Sequence, residues 1–341
     1  MKHSLLIVCC ALFFCACSNG ERIKLNEIQT EFSEFPTTDS LKFTSISDSL
    51  LEEPSKLLLY GDTLIVQEFN RAHDEFLTFF SIETGQVIKK AIPQGAGPEE
   101  LLNCDICLLG NELWMYDMGK IQVGKVPMDS LLNGSLSTSW YKLDRFYYRF
   151  AMLNDSTMLG TNDLSAKTKI AYVNLETGQV VGRSDYAYLD EEIGLAALID
   201  ACSCYIDVNP RTKDIALSYR YMDVLEIYDA EGHLKSAVQG PACFDVDFQP
   251  RGSGMGKTED TRKAFVNSYA TENAIYLLYS GNKRTEKNWA YGSEIFVYSW
   301  DGTPLKRYLL DRPVYTFAVD EAKKIIYSYS LKSDELVKGQ I

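Results

Sequence analysis

Chemistry needs particular side chains at particular spacings, and three stretches of this chain offer them. His73, Asp74 and Glu75 put an imidazole beside two carboxylates, a set that can exchange protons or hold a cation. A solvated polar loop is the simpler reading of that trio. Cys104-Asp105-Ile106-Cys107 and Cys202-Ser203-Cys204 together supply four thiols, the number a structural zinc takes. Residues three apart on a strand point to opposite faces, so buried free thiols are preferred over a local disulfide, and both over metal. Residues 252–258, Gly-Ser-Gly-Met-Gly-Lys-Thr, end like a phosphate loop. The pattern needs Gly five places before Gly256, where Arg251 stands, so the stretch reads as a flexible Gly-rich insertion. No Gly-x-Ser-x-Gly elbow occurs, and no carboxylate pair stands out for glycoside hydrolysis. No catalytic residue is assigned from the sequence.

A second kind of candidate is a recognition surface rather than a reaction centre. Arg145, Tyr147, Tyr148 and Arg149 cluster in sequence, and Asp200, Arg312 and Tyr315 occupy comparable segments. Arg and Tyr combine large contact area with directed donors. Tyr at the start of a strand also packs simply against its neighbours, so what these residues do depends on the elements that place them.

Those elements are strands. The chain has 341 residues, enough for a large core, with 21 Tyr, 16 Phe and recurrent β-branched runs. Its formal charge of −13 repels nucleic acid, and no Lys/Arg cluster in the sequence offsets it, so nucleic acid is excluded as a partner.

The first residues belong to targeting. Lys2 precedes an apolar run over residues 5–14, and small Ala16 precedes Cys17. Phe14-Cys15-Ala16-Cys17 resembles a bacterial lipobox, in which the last Cys is lipidated and becomes the new N-terminus. Phe stands where Leu is commonest, and Cys holds the second place. The expectation is a signal peptide over 1–16, lipid attachment at Cys17 and outer-membrane lipid as the partner of that anchor, with a plain secretory signal as the alternative. Ser18 after the Cys, rather than Asp, fits an outer-membrane lipoprotein, periplasmic or surface-facing. No later apolar stretch is long enough to span a bilayer. Removal of the signal leaves Cys104, Cys107, Cys202, Cys204 and Cys243 besides Cys17, an odd number that argues against a fully paired disulfide framework.

After a polar tether over 17–40, short apolar runs alternate with turns. Residues 56–60 and 63–69 flank Gly61-Asp62, and residues 76–82 and 86–92 flank Glu83-Thr84-Gly85. The same four-strand set returns over 105–143, 150–183, 204–238 and 264–310, and a sixth set over 314–341 lacks its fourth strand. An N-terminal strand, at 41–46 or 23–28, would fill that place. The predicted fold is all-β: a six-bladed β-propeller of four-stranded antiparallel blades over 41–341, its ring closed by the N-terminal strand. A β-sandwich is the alternative.

The lipobox, residues 94–100 (Gln-Gly-Ala-Gly-Pro-Glu-Glu), residues 273–281 (Asn-Ala-Ile-Tyr-Leu-Leu-Tyr-Ser-Gly) and residues 295–302 (Ile-Phe-Val-Tyr-Ser-Trp-Asp-Gly) are similar to the TolB-like six-bladed β-propeller lipoproteins of Bacteroidetes. The resemblance spans nearly all of the mature chain. It implies a fold and carries over no catalytic residue.

In such a blade the first-to-second and third-to-fourth turns share one face of the ring. The second-to-third loops and the links between blades share the other. Here the first set is mostly short, while 183–202, 240–263 and 280–293 on the other face are long, and long loops in compact domains tend to carry function. The expected site is therefore the long-loop mouth of the central channel. Its binding candidates are His73, Asp74, Arg145, Tyr147, Tyr148, Arg149, Asp200, Arg312 and Tyr315. The expected role is binding or scaffolding for a protein, small-molecule or glycan ligand, with no cofactor evident. A divalent-cation-dependent hydrolase or lyase is the alternative, because a calcium ion at the channel mouth needs no local ligand spacing.

Overall fold

The computed structural model describes residues 22–47, 51, 54–68, 75–135, 138–330 and 333–341. The signal peptide, Cys17, His73 and Asp74 lie outside the described residues.

The chain folds as six blades around a central channel, and each blade begins with its innermost strand. Blade one comprises Pro54–Tyr60, Thr63–Glu68, Glu75–Ser81 and Val87–Pro93, all antiparallel. Blades two and three run from Asp105–Leu109 to Ser139–Lys142 and from Arg149–Asn154 to Val180–Asp185. Blades four and five run from Cys204–Val208 to Leu234–Gln239 and from Phe265–Ala270 to Pro304–Val314. Blade six has three strands of its own, Phe317–Asp320, Ile325–Ser330 and Glu335–Gln340. Its fourth is Thr44–Ser47, antiparallel to Glu335–Gln340, so the ring closes with an N-terminal strand.

Packing explains the sequence pattern. A blade is covered on both faces by its neighbours, so its middle strands are apolar throughout rather than alternating. Ala274–Tyr279 (Ala-Ile-Tyr-Leu-Leu-Tyr) is buried at every position. The outer Val87–Pro93, by contrast, exposes Val87 and Ile88. Each junction between blades holds its own apolar core, such as Trp114, Tyr116, Phe150 and Met158 between blades two and three. Gly160 belongs to that junction because the Tyr147 ring lies where a side chain would be, 2.5 Å from a Cβ built there.

The N-terminal segment does more than close the ring. The expected single strand at 41–46 is two strands, Thr38–Leu41 and Thr44–Ser47, because the chain steps from blade five to blade six between them. Upstream, Thr30–Glu31 adds in parallel to the outer edge of blade four, and Ile23–Lys24 pairs with Tyr188–Leu189. Residues 22–47 thus form a strap that seats Leu25, Phe35 and the pair Leu41 and Phe43 in three successive inter-blade cores. The strap is also held by charge. Lys169 and Glu226 form a fully buried ion pair at 2.9 Å, Lys169 Nζ donates to the Leu25 carbonyl at 2.8 Å, and Asn26 Nδ2 donates to Glu226 at 2.8 Å. Tyr219 and Tyr228 hydroxyls donate to the same carboxylate, so its lone pairs are well used.

The turn at Gly85 meets this closure directly. Its φ of +70° is left-handed, and a Cβ there would fall 2.3 Å from the Ile46 carbonyl oxygen of the closing strand. Two long links hold structure that the sequence pattern did not show. The 183–202 link contains a helix, Leu195–Ala201, and the 240–263 link contains a hairpin, Phe248–Arg251 with Gly254–Lys257. The Gly-rich stretch 252–258 is therefore not a loose insertion: Gly252, at φ +60°, makes the hairpin turn.

Candidate functional site

The inner strands of the six blades begin at the long-loop face, and their first residues ring a cavity of about 510 Å³. Lys56, Asp105, Arg149, Tyr205 and Asn267 come from strand starts, and Tyr291 and Tyr315 from a second-to-third loop and a link. A second hollow of about 770 Å³ opens from the short-turn end and shares Lys56, Phe150, Ile206, Asp207 and Ser268 with the first. It is lined by aliphatic residues such as Leu58, Leu108 and Met152 and by polar ones such as Asn111, Glu112, Asp155 and Lys213, whereas Tyr205, Tyr291 and Tyr315 wall the first cavity at the long-loop mouth.

One side of the mouth joins positive and negative charge, with Asp105 Oδ2 and Asp207 Oδ2 buried there without a partner among the described residues. Lys56 Nζ lies 3.2 Å from Asp105 Oδ1, spanning blades one and two. Nearby, Asn267 Nδ2 donates to the Ser55 carbonyl at 3.1 Å and so ties blade five to blade one. Burial raises the Asp207 carboxyl above the ordinary range, opposed by the Ser268 hydroxyl and the charge of Lys56.

The other side is not balanced. Arg149 opens the inner strand of blade three, Arg220 sits in the second-to-third loop of blade four, and Lys257 and Lys263 lie in the link between blades four and five. The Arg149 guanidinium stacks 4.5 Å from the Tyr148 ring centre and 5.4 Å from that of Tyr205. Arg220 approaches the same two rings, at 5.2 Å and 5.9 Å. Lys263 Nζ lies 5.1 Å from the Tyr221 ring centre and 5.0 Å from that of Trp289, and Lys257 Nζ lies 5.7 Å from each. Such ring contacts stabilise a cation by only ~0.5–2 kcal/mol, less than a buried charge loses in desolvation.

Among the described residues none of these four cations is in an ion pair. Arg149 Nη1 donates to the Tyr148 carbonyl, Arg220 Nη1 to the Tyr148 hydroxyl, and Arg220 Nε is buried without a partner. Lys263 is 5% exposed. Burial, with Arg220, Lys257 and Arg149 close by, pushes its ammonium down to about 6.

The residues expected from the sequence divide. Tyr148 and Arg149 belong to the cation cluster, and Tyr315 lines the cavity edge-on to Tyr291, with ring centres 6.3 Å apart. Arg145 is paired with Asp144 at 2.8 Å and Asp163 at 3.1 Å. Tyr147 is fully buried in the blade-two to blade-three core, its N–H donating to the Tyr116 hydroxyl. Asp200 Oδ2 accepts the Met255 N–H at 2.8 Å and so fastens the 195–201 helix to the hairpin. Arg312 pairs with Asp311 and donates to the Phe43 carbonyl at 3.1 Å, which locks the strap. Arg220, Lys257, Lys263, Tyr205 and Tyr291 were missed. The loop-face rule contained Arg220, Lys257, Lys263 and Tyr291, which lie in second-to-third loops or links, but choosing them needed the third dimension.

The five described cysteines are free thiols, and burial raises Cys104, Cys107, Cys202 and Cys204, which makes them poor nucleophiles. Among the described residues no three His, Cys, Asp or Glu side chains are grouped as a metal would need. At the mouth Lys56 lies against Asp105 Oδ1, while Asp105 Oδ2, Asp207 Oδ2 and Gln67 Oε1 are buried acceptors without a hydrogen-bond partner among the described residues.

The family model described as TolB-like 6-blade propeller-like matches residues 31–322. Among solved structures, a DUF4221 family member from Bacteroides vulgatus is 13% identical, covers 90% of this chain and 97% of its own, and superposes with a TM-score of 0.59. A protein of Bacteroides fragilis described as exported is 11% identical, with 91% and 97% coverage and a TM-score of 0.59. Both likenesses show the fold alone. No curated protein matches the sequence.

Proposed function

The chain belongs to the TolB-like six-bladed propeller family, and from that premise we propose that it is a lipid-anchored outer-membrane binding module whose ligand sits at the long-loop mouth of the channel. One observation carries the reading: the cavity of about 510 Å³ there is walled by Tyr205, Tyr291 and Tyr315 and edged by charged side chains. Concave sites with aromatic walls and a few convergent polar groups are where small ligands bind. The anchor rests on the Phe14-Cys15-Ala16-Cys17 lipobox and accords with a structural neighbour described as exported. Among the described residues no helix is long and apolar enough to cross a membrane.

Metal-dependent hydrolysis or lysis is the second reading: Asp105 Oδ2 and Asp207 Oδ2 are buried acceptors at the mouth without a partner among the described residues, and the Lys56 charge beside them opposes a cation. Two experiments test the proposal. Palmitate labelling should vanish in Cys17→Ala, and labelling that persists removes the anchor. A thermal-shift screen of envelope metabolites and glycans should find ligands whose effect is lost in Tyr291→Ala. Ligands unaffected by that change and by Tyr315→Ala would place binding elsewhere. A stoichiometric divalent ion, or turnover that requires one, would favour the enzyme.

A further inference from the structure

We infer that the mouth is an oxyanion site: Arg149, Arg220 and Lys263 receive a carboxylate or phosphate group whose body lies in the cavity against Tyr205 and Tyr291. The inference rests on the mouth being the binding site and names the chemistry it selects.

Three observations converge. The whole chain carries a formal charge of −13, yet four cations gather on one side of the channel mouth with no ion pair to a carboxylate among the described residues. Buried charges are normally paired, and truly unpaired ones are costly. Arg220 Nε is a buried donor with no acceptor, and Lys263 is 5% exposed and faced by the Tyr221 and Trp289 rings and by Arg220, Lys257 and Arg149. These are groups that an incoming oxyanion would satisfy.

The rings also orient the cations. Tyr148 and Tyr205 hold both guanidinium groups by their faces, which leaves the N–H edges to donate. Arg149 and Tyr205 line the cavity, so the cluster communicates with open space. Trp289 and Tyr291, from one loop, touch both parts: Trp289 covers Lys263, and Tyr291 walls the cavity. The groups facing Lys263 are Arg220, Lys257, Arg149, Tyr221 and Trp289, and none of them supplies a negative charge near neutral pH. Of the acidic groups nearby, Asp105 meets Lys56 through Oδ1 and also acts on Arg149, Asp207 lines the same cavity with its carboxyl raised by burial, and Asp200 accepts the Met255 N–H and acts on Tyr221. An anion would therefore favour the charged form of Lys263, and binding should take up a proton from solvent at pH 7.5.

The test is calorimetric titration of the purified mature protein with inorganic phosphate and with glucuronate, against chloride at matched ionic strength. At least one oxyanion should bind saturably, and the stronger of the two tells phosphate from carboxylate recognition. Arg149→Gln and Arg220→Gln should each weaken it about tenfold or more, the loss expected for one charge-assisted hydrogen bond. Heats measured in two buffers of different ionisation enthalpy should show proton uptake, and Lys263→Met, expected to fold at least as stably, should abolish it. Binding no better than chloride, or undiminished in Arg149→Gln and Lys263→Met, overturns the inference. A neutral glycoside whose binding is lost in Tyr291→Ala, with no oxyanion bound, would overturn it and leave the mouth-binding reading standing. Failure of every ligand would remove both.

Discussion

Replacing Lys263 by methionine should stabilise the unliganded protein, and the size of the gain follows from where the lysine sits. The residue is 5% exposed, and its ammonium is pushed down to about 6 by burial and by neighbouring cations, so it is mostly neutral at pH 7 in the folded chain. In the unfolded chain it returns to about 10.4 and is fully charged. Between those values the unfolded state binds more protons, so this group makes stability rise with pH. Its cost is fully present below pH 6, is roughly 4–5 kcal/mol at pH 7, and disappears near pH 10. Methionine has similar length and no charge to desolvate. Water penetration and loss of ring contacts reduce the gain, leaving about 2–4 kcal/mol at pH 7. Urea unfolding at pH 7, 8 and 9 is the assay. The variant should lead at pH 7, and its lead should shrink by up to about 1.4 kcal/mol for each pH unit. Burial holds the facing Tyr221 above its ordinary value, so it does not titrate in that window. A variant less stable than the parent, by an amount that does not change with pH, would mean that Lys263 is charged and paired, and the reasoning would fail.

Other consequences are structural. Lys169→Met strands the fully buried Glu226 carboxylate and should cost about 3–5 kcal/mol in denaturant unfolding, whereas a loss under ~1 kcal/mol would mean the pair is solvated. Gly85→Ala forces a side chain into a left-handed turn against the Ile46 carbonyl and should cost roughly 1–3 kcal/mol, with an unchanged urea midpoint arguing against this closure. Deleting residues 22–43 removes Leu25, Phe35, Leu41 and Phe43 from three inter-blade cores. At ~2 kcal/mol per anchor the upper bound is about 8 kcal/mol, so the deletion should lower Tm sharply, and an unchanged Tm would contradict the strap.

Much of the fold was legible because blade strands follow rules that act locally. Apolar runs of strand length, bounded by turns such as Gly61-Asp62 and Glu83-Thr84-Gly85, reproduced the observed strands to within a few residues at their ends. The missing fourth strand of the last blade pointed to an N-terminal partner, which Thr44–Ser47 supplies. The strap was not legible beyond that strand. Thr30–Glu31 and Thr38–Leu41 are short and exposed for most of their length, and parallel pairing to a distant edge leaves no periodicity to read. The 195–201 helix and the 248–257 hairpin were hidden inside long links because seven helical residues and two four-residue strands are too short to show a period.

The site was legible as a face but not as a set of side chains. Loop lengths pointed to the end of the ring where the aromatic cavity lies. Tyr147 and Tyr148 are adjacent in sequence, yet one fills an inter-blade core and the other carries two guanidinium groups. Arg145 and Arg312 look like Arg149 in sequence, but each has a carboxylate beside it. What distinguishes Arg149, Arg220 and Lys263 is the lack of such a partner among the described residues. That property belongs to the assembled ring, where blades three, four and five bring their charges together.

The most direct test of an oxyanion site at the mouth is a crystal structure of the protein soaked in selenate, with the selenium located by its anomalous scattering. An anomalous peak within hydrogen-bond reach of Arg149 and Arg220, with Lys263 beside it, is the predicted result. Density elsewhere, confined to exposed surface lysines or to the 195–201 helix, with none at the mouth, would contradict the account.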